Sequence, residues 1–298
     1  MTAKNDFKSG FVAIIGRPNV GKSTVLNRLV GAKVAIVTEK PETTRNRIQG
    51  ILTRPDAQVI FVDTPGIHKP INLLGKRMTK SASDLLLEVD LVVFMLDMTK
   101  GITPEDKTIF DLVKESKKPA ILVINKVDLK SKALALPLID EASKLYDFKE
   151  IIPTSATIGD NMDILLKNVI GNLPVGPKYF PDDQITDKSE RFMAGEIVRE
   201  KALELTREEV PHSIAVLVEE FKERPKRVAY IRAVIFVERP SQKKIIVGHG
   251  GGMLKSIGAA ARREIERSLK RHIYLELWVK VYENWRKDPK ALKELGYA

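Results

Sequence analysis

The stretch GRPNVGKS, Gly16 to Ser23, constrains this chain more than any other part of it. It follows the apolar run FVAIIG and leads into GKSTVLNRLV, which reads as a helix. A G-x-x-x-x-G-K-[ST] turn between strand and helix is the loop whose backbone N–H groups close around phosphate oxygens, and glycine lets the main chain wrap that tightly. The surrounding pattern agrees. FVAIIG, QVIFVD, LVVFMLD, AILVIN and EIIPTSA read as strands buried on both faces, as a parallel sheet requires, and RIQGILT as an edge strand. Stretches such as TPEDKTIFDLVKES and NMDILLKNVI read as helices between them. The alternation predicts an α/β domain, doubly wound around a mostly parallel sheet.

In such a loop Lys22 reaches the β- and γ-phosphates and the Ser23 hydroxyl ligates magnesium. Gly16, Arg17, Pro18, Asn19, Val20, Gly21 and Thr24 complete the phosphate-binding stretch. DTPG, Asp63 to Gly66, closes the strand QVIFVD. There Asp63 can hold magnesium through water and the Gly66 N–H can sense the γ-phosphate, with Thr64, Pro65 and Ile67 in the same turn. NKVD, Asn125 to Asp128, follows AILVIN. Asp128 can accept from the ring N–H and the exocyclic amine of guanine, a donor pair that adenine lacks, so the motif predicts GTP and GDP over ATP. The Lys126 stem covers the base, Val127 lies between them, and Ser155 and Ala156 of TSA bring a backbone N–H to the guanine carbonyl. All these motifs sit at C-terminal ends of strands, where an α/β sheet binds ligand.

The polar loop KPETTRNRIQG, Lys40 to Gly50, carries paired threonines. A threonine there can complete the magnesium shell only when the γ-phosphate is present, which makes the loop a switch. Thr44 is the first candidate and Thr43 the alternative; a solvated loop without a ligand role is the plain reading. In Ras-like enzymes a glutamine after the DTPG-type glycine orients the attacking water. Here Ile67 can neither donate nor accept. Asn19, whose amide oxygen would lie near the β/γ bridge, is the candidate to hold a monovalent cation, potassium, in compensation; a loop-stabilising side chain is the alternative. Lys22, Thr44 and Asn19 are therefore the candidate catalytic residues, and low basal turnover raised by potassium is the expectation.

At Asn172 to Lys188, NLPVGPKYFPDDQITDK, the alternation breaks in a stretch dense in Pro, Gly and Asp. This predicts a nucleotide-binding domain over 1–174, a linker over 175–190 and a smaller α+β domain over 191–298. A length of 298 residues suits about two domains. The second domain reads as a helix (RFMAGEIVREKALELT), two strands (SIAVLVEE and VAYIRAVIFVE), a glycine turn with its helix, and the strand IYLELWVKVY. In DPKALKELGYA, Asp at a cap and Pro at the first helical position announce a short terminal helix. The turn GHGG, Gly248 to Gly251, lacks the Lys-Ser pair and cannot repeat the nucleotide chemistry. A G-x-x-G turn at a helix N-terminus instead suits the sugar-phosphate backbone of a single strand, with His249 and Gly250 between the outer glycines and Lys255 and Arg262 on the following helix. From Ser241 onward there are 13 basic and 6 acidic residues, a large share of the formal net charge of +11. An anionic membrane surface is the other class of partner that such charge allows. The absence of cysteine fits a reducing compartment. MTAKNDFKSGFVAIIG has too short an apolar run for a signal peptide, so a cytoplasmic protein is expected.

Over nearly its whole length the chain resembles the Era family of bacterial GTPases, which carry a C-terminal type II KH domain. The resemblance rests on GRPNVGKST, PETTRNRI, VDTPGIHKP, NKVD, EIVREKALELTREEVPHS, GGMLKSIG and LELWVKVYENWRKDPKALKELGY. It implies a GTPase that binds the 3′ end of small-subunit ribosomal RNA, assists maturation of the small ribosomal subunit and associates peripherally with the inner membrane. A monomer is expected. One departure stands out: the family pattern has lysine between the glycines of the KH loop where this chain has His249. Histidine is mostly neutral at pH 7, which weakens one phosphate contact.

Overall fold

The computed structural model describes residues 7–40, 43–67, 72–207, 210–224 and 228–297. Parts of the stretches quoted above, at 1–6 (where the signal-peptide reading begins), 41–42, 68–70, 208–209 and 298, lie outside the described residues. The chain divides into two units. Unit 1 takes in residues up to Ala35, Thr44–Pro70 and Gly75–Asp187; unit 2 takes in Ile36–Thr43, Ile71–Leu74 and Lys188 onward.

Unit 1 is built from β1 (Lys8–Gly16), α1 (Lys22–Val30), β2 (Ile48–Thr53), β3 (Ala57–Asp63), α2 (Leu73–Glu88), β4 (Leu91–Asp97), α3 (Pro104–Ser116), β5 (Ala120–Asn125), α4 (Ala135–Leu145), β6 (Glu150–Pro153) and α5 (Met162–Gly171). The sheet order is β2-β3-β1-β4-β5-β6. The pairs from β3 to β6 are parallel, and β2 joins β3 antiparallel at the edge. The doubly wound expectation therefore holds. Every residue of β3, β4 and β5 is buried, because helices cover both faces. Phe94 of β4 and Phe110 of α3 meet edge to face with centroids 4.9 Å apart inside this core. The strands end on the motifs: Gly16, Asp63 and Asn125 are the last residues of β1, β3 and β5.

The stretch read as a linker is laid down on unit 1. The Ser9 N–H donates to the Pro174 carbonyl and the Gly176 N–H to the Phe7 carbonyl. The buried Gln58 side chain accepts from the N–H groups of Tyr179 and Phe180. Along β2, the Ile51 N–H donates to the Ile185 carbonyl at 2.9 Å, Gly50 bridges Thr186, and the Gln49 N–H reaches Asp187 Oδ1.

Unit 2 contains α6 (Glu190–Leu205), α7 (Val210–Ser213), β7 (Ala215–Arg224), β8 (Val228–Val237), α8 (Pro240–Val247), α9 (Gly252–Leu269), β9 (Ile273–Val281) and α10 (Pro289–Glu294). Its sheet order is β7-β8-β9, with β7 antiparallel and β9 parallel to β8. Two of its elements went unread in the sequence: the short α7, and α8 between β8 and the glycine turn. For α8 the signal was there. Its start is signalled by Pro240 at the first helical position and by Gln242, whose Oε1 accepts the N–H groups of Glu238 and Arg239. Ile197 and Val198 of α6 and Ile257, Ala261 and Ile265 of α9 pack on Ile231, Ala233 and Ile235 of β8. The alternation read in IYLELWVKVY holds, with Ile273 and Val279 buried and Tyr274 and Trp278 exposed. The terminal helix forms as read, with Asp288 accepting from the Lys290 N–H.

Candidate functional site

The loop from Gly16 to Ser23 turns on Gly21, held at φ 103 as the cap of α1. A Cβ there would sit 2.3 Å from the Asn125 amide nitrogen, so glycine is required for space as well as for conformation. Lys22 is buried and its ammonium donates to the carbonyls of Gly16 (3.1 Å) and Arg17 (2.8 Å). Burial pulls its pKa down to about 8 against the attraction of Asp63. The Arg17 side chain turns away from the loop: Nε donates to both oxygens of Asp106 at 2.7 and 2.8 Å. Asp106 also accepts from Thr103 in the cap of α3, so Arg17 moors the loop to that helix. The crest carries Pro18, half-buried, and Asn19, exposed at φ 64, with Thr24 half-buried behind it in α1. The Gly66 turn packs against the crest: a Cβ there would lie 2.7 Å from the Pro18 nitrogen.

Ser23, Thr44 and Asp63 converge. The Ser23 hydroxyl donates to Asp63 Oδ2 at 2.6 Å, and Thr44 Oγ1 lies 3.0 Å from Ser23 Oγ and 3.2 Å from the same carboxylate oxygen. Thr43 points elsewhere, its hydroxyl 2.7 Å from that of Thr38 and donating to the Lys40 carbonyl. Of the paired threonines, the structure brings Thr44 to this cluster. Burial pushes the Asp63 carboxyl above its ordinary range, while the Lys22 charge and the two hydroxyls work against that shift. Asp63 Oδ1 is buried with no hydrogen-bond partner among the described residues. One buried carboxylate and two hydroxyls form the all-oxygen donor set that suits magnesium, with phosphates and water filling its octahedron. The residues fit that ion.

The base-recognition side is knit to the same loop. Asn125 donates through Nδ2 to the Val20 carbonyl at 2.8 Å and accepts the Ala156 N–H through Oδ1 at 3.1 Å. The Val127 N–H donates to the Thr154 carbonyl, and Asp128 is exposed at the mouth. Lys126 stands at φ 69 with its ammonium 2.7 Å from Asp97 Oδ2. Burial opposes ionisation of Asp97, but hydrogen bonds from Lys126 and Thr99 hold its carboxyl below the usual range. In the TSA loop the Ala156 N–H donates to Asn125 Oδ1 and the Ser155 N–H to the Asp160 carbonyl. A guanine carbonyl would share those donors. Ile67 is buried in the core of unit 1, its N–H donating to the Gly16 carbonyl at 3.3 Å, with Pro65 buried beside it and the Thr64 hydroxyl donating to the Ile14 carbonyl. Asp97 and Asp106 went unread as site residues. Their partners lie 29 and 89 residues away, and no local pattern announces them.

In unit 2, Gly248 to Gly251 join α8 to α9, with φ of 73° at Gly248, 55° at Gly250 and 78° at Gly251. A Cβ at Gly248 would meet Met253 at 2.7 Å, whereas Gly250 and Gly251 face open space. Next to this turn lies a groove of about 520 Å³. Leu275 and Leu277 of β9 form its floor; Gly251, Gly258 and Ala259 keep it open; Lys255 and Arg262 stand exposed along it. His249 is exposed in the turn. The groove thus sets an apolar floor beside two exposed cations of α9, at whose start the Gly251 N–H donates to the Gly248 carbonyl and the Gly252 N–H to the His249 carbonyl.

A family model described as 50S ribosome-binding GTPase matches residues 11–126, and a KH domain model matches 209–286. The chain is similar to the GTPase Era of Lacticaseibacillus paracasei, 52% identical over 293 residues, covering 98% of each chain. Among solved structures, a variant of Aquifex aeolicus Era bound to GDP and AlF4− is 47% identical with a TM-score of 0.95, covering 98% of this chain and 100% of that one. An Era bound to MgGDPNP and nucleotides 1506–1542 of 16S ribosomal RNA is 48% identical with the same TM-score, covering 98% and 99%.

Proposed function

This chain belongs to the Era family of GTPases, and on that premise we propose that it is a GTP-hydrolysing switch that binds small-subunit ribosomal RNA near its 3′ end and assists small-subunit assembly. The observation that carries the reading is the 48% identical relative bound at once to MgGDPNP and to that RNA, matched over 98% of this chain. Residues 1–174 are the GTP-binding domain and 191–298 the type II KH domain, with 175–190 joining them.

In unit 1 the Gly16–Ser23 backbone cradles the phosphates and Lys22 leaves the loop carbonyls to meet the β- and γ-oxygens. Ser23, Thr44 and Asp63 hold magnesium, which supplies charge neutralisation between the phosphates. Asp128 reads the guanine edge and Lys126, aimed by Asp97, covers the base. Ile67 cannot position water, so the chain's own turnover is low; Asn19 would hold a potassium ion through its side-chain amide oxygen, and that ion would supply positive charge near the β/γ bridge. In unit 2 the GHGG turn grips the RNA backbone, with Lys255 and Arg262 on the neighbouring phosphates. The protein works as a monomer in the cytoplasm. The basic surface of unit 2 is also what peripheral attachment to an anionic membrane would use. Among the described residues no helix is long and apolar enough to cross a membrane.

Cross-linking in cells followed by RNA sequencing tests the partner: reads should pile up at the 3′ end of small-subunit ribosomal RNA, and an even spread over other RNAs would refute the assignment. Single-turnover hydrolysis in matched buffers tests the cation. Potassium should exceed sodium by at least about tenfold for the unaltered protein, and Asn19→Ala should erase the difference, as expected for charge stabilisation of the arginine-finger kind. Equal rates in both salts would remove Asn19 from catalysis.

A further inference from the structure

The segment that leads into Thr44 clusters with unit 2, not with the loop it serves. Ile36 is buried in the core formed by α6, the Val37 N–H donates to Glu200 Oε1 at 2.9 Å, and Arg199 Nη2 donates to the Thr43 carbonyl at 2.5 Å. Arg199 is completely buried. Within its own helix Nε donates to Glu196 Oε1 at 2.8 Å and Nη2 to Glu196 Oε2 at 2.6 Å, a fork onto one carboxylate. The Thr43 oxygen is the hydrogen-bond partner it reaches outside that helix among the described residues, and its Nη1 has none. A buried, paired guanidinium is expensive to misplace, so its position is fixed by the core around it.

The peptide plane links this to the metal cluster. The six atoms from Cα of residue 43 to Cα of residue 44 are coplanar, so a donor that holds the Thr43 oxygen sets the orientation of the plane and the position from which Thr44 extends its side chain. Thr44 Oγ1 is the atom beside Ser23 and Asp63. We propose that Arg199 is a positioning residue for the GTP-bound state, acting through the Thr43 carbonyl to present Thr44 at the magnesium site. This rests on the reading of Thr44 as the residue that senses the γ-phosphate. GDP, which lacks that phosphate, draws on neither residue.

The test compares affinities of the full chain for GDPNP and for GDP in magnesium, by calorimetry, for the unaltered protein, Thr44→Ala, Arg199→Lys, Arg199→Met and the double variant Thr44→Ala/Arg199→Lys. Arg199→Lys keeps the charge beside Glu196 and loses the fork; it decides the matter if Arg199→Met does not fold. The expected result is a drop of about tenfold in GDPNP affinity with GDP affinity within about twofold, the size of one lost charge-assisted hydrogen bond. Thr44→Ala should do the same, and the double variant should add little, because the residues act through one contact. Cleavage by a protease within 36–43, with GDPNP bound, should rise in the Arg199 variants. If Thr44→Ala weakens GDPNP while folded Arg199 variants do not, the inference fails and the Thr44 reading stands. If Thr44→Ala changes nothing, that reading fails and takes the inference with it. Equal losses for GDP and GDPNP would mark Arg199 as purely structural and overturn the proposal.

Discussion

Asp128→Asn should reduce GDP affinity by about 10³-fold or more and raise xanthosine diphosphate affinity in return. A site built to pair hydrogen-bonding groups discriminates by about 10⁴–10⁵ against an analogue that leaves them unpaired. Replacing the carboxylate by an amide leaves one acceptor opposite two guanine donors and points an N–H₂ at one of them. Xanthine, with a carbonyl where guanine has its amine, suits the amide. The substitution should leave the fold intact, because Asp128 is exposed while the bonds that shape the loop come from Asn125, Val127 and Thr154. Calorimetry with both diphosphates gives the answer. An unchanged preference for guanine would place base recognition elsewhere.

Gly250→Asp should lower RNA affinity by about 100-fold while GDP binding stays as it was. The residue is left-handed at φ 55, a region that aspartate tolerates better than most residues, and a Cβ there meets nothing within 4 Å. Folding is thus spared and the loss reports on the clamp. The carboxylate enters the space a phosphate would occupy and opposes it, where a single charged contact is worth about 1.5–3 kcal/mol. The unaltered protein should lose RNA steeply with salt, by about 0.7 in log affinity per log salt for each phosphate neutralised on a single strand. Filter binding over a salt series measures both, and a flat response or an unaltered variant would count against the GHGG turn as the grip.

What could be read in advance is what is chemically local. The G-x-x-x-x-G-K-S loop, DTPG, NKVD and GHGG each declare their chemistry within a few residues, and the buried strands before three of them declare the sheet. Asp288-Pro289 announced α10 in the same way, and Pro240 with Gln242 announced α8 to a closer reading. Contacts between distant parts of the sequence were not legible. Nothing near Arg17 says that its guanidinium goes to Asp106, and nothing near Val37 or Thr43 says that Glu200 and Arg199 receive them. Those pairings exist because the fold encloses charged groups that must be satisfied where they lie.

The strip from 172 to 187 bears on how unit 1 survives by itself. β2 is the outermost strand of its sheet, and an uncovered strand edge is a template for pairing with another chain. Here Ile185, Thr186 and Asp187 occupy that edge opposite Gln49, Gly50 and Ile51. The strip thus acts as a built-in guard against self-association. A fragment ended at residue 174 would bare the edge and stick to its copies, whereas one carried through Asp187 would keep its guard and stay dispersed.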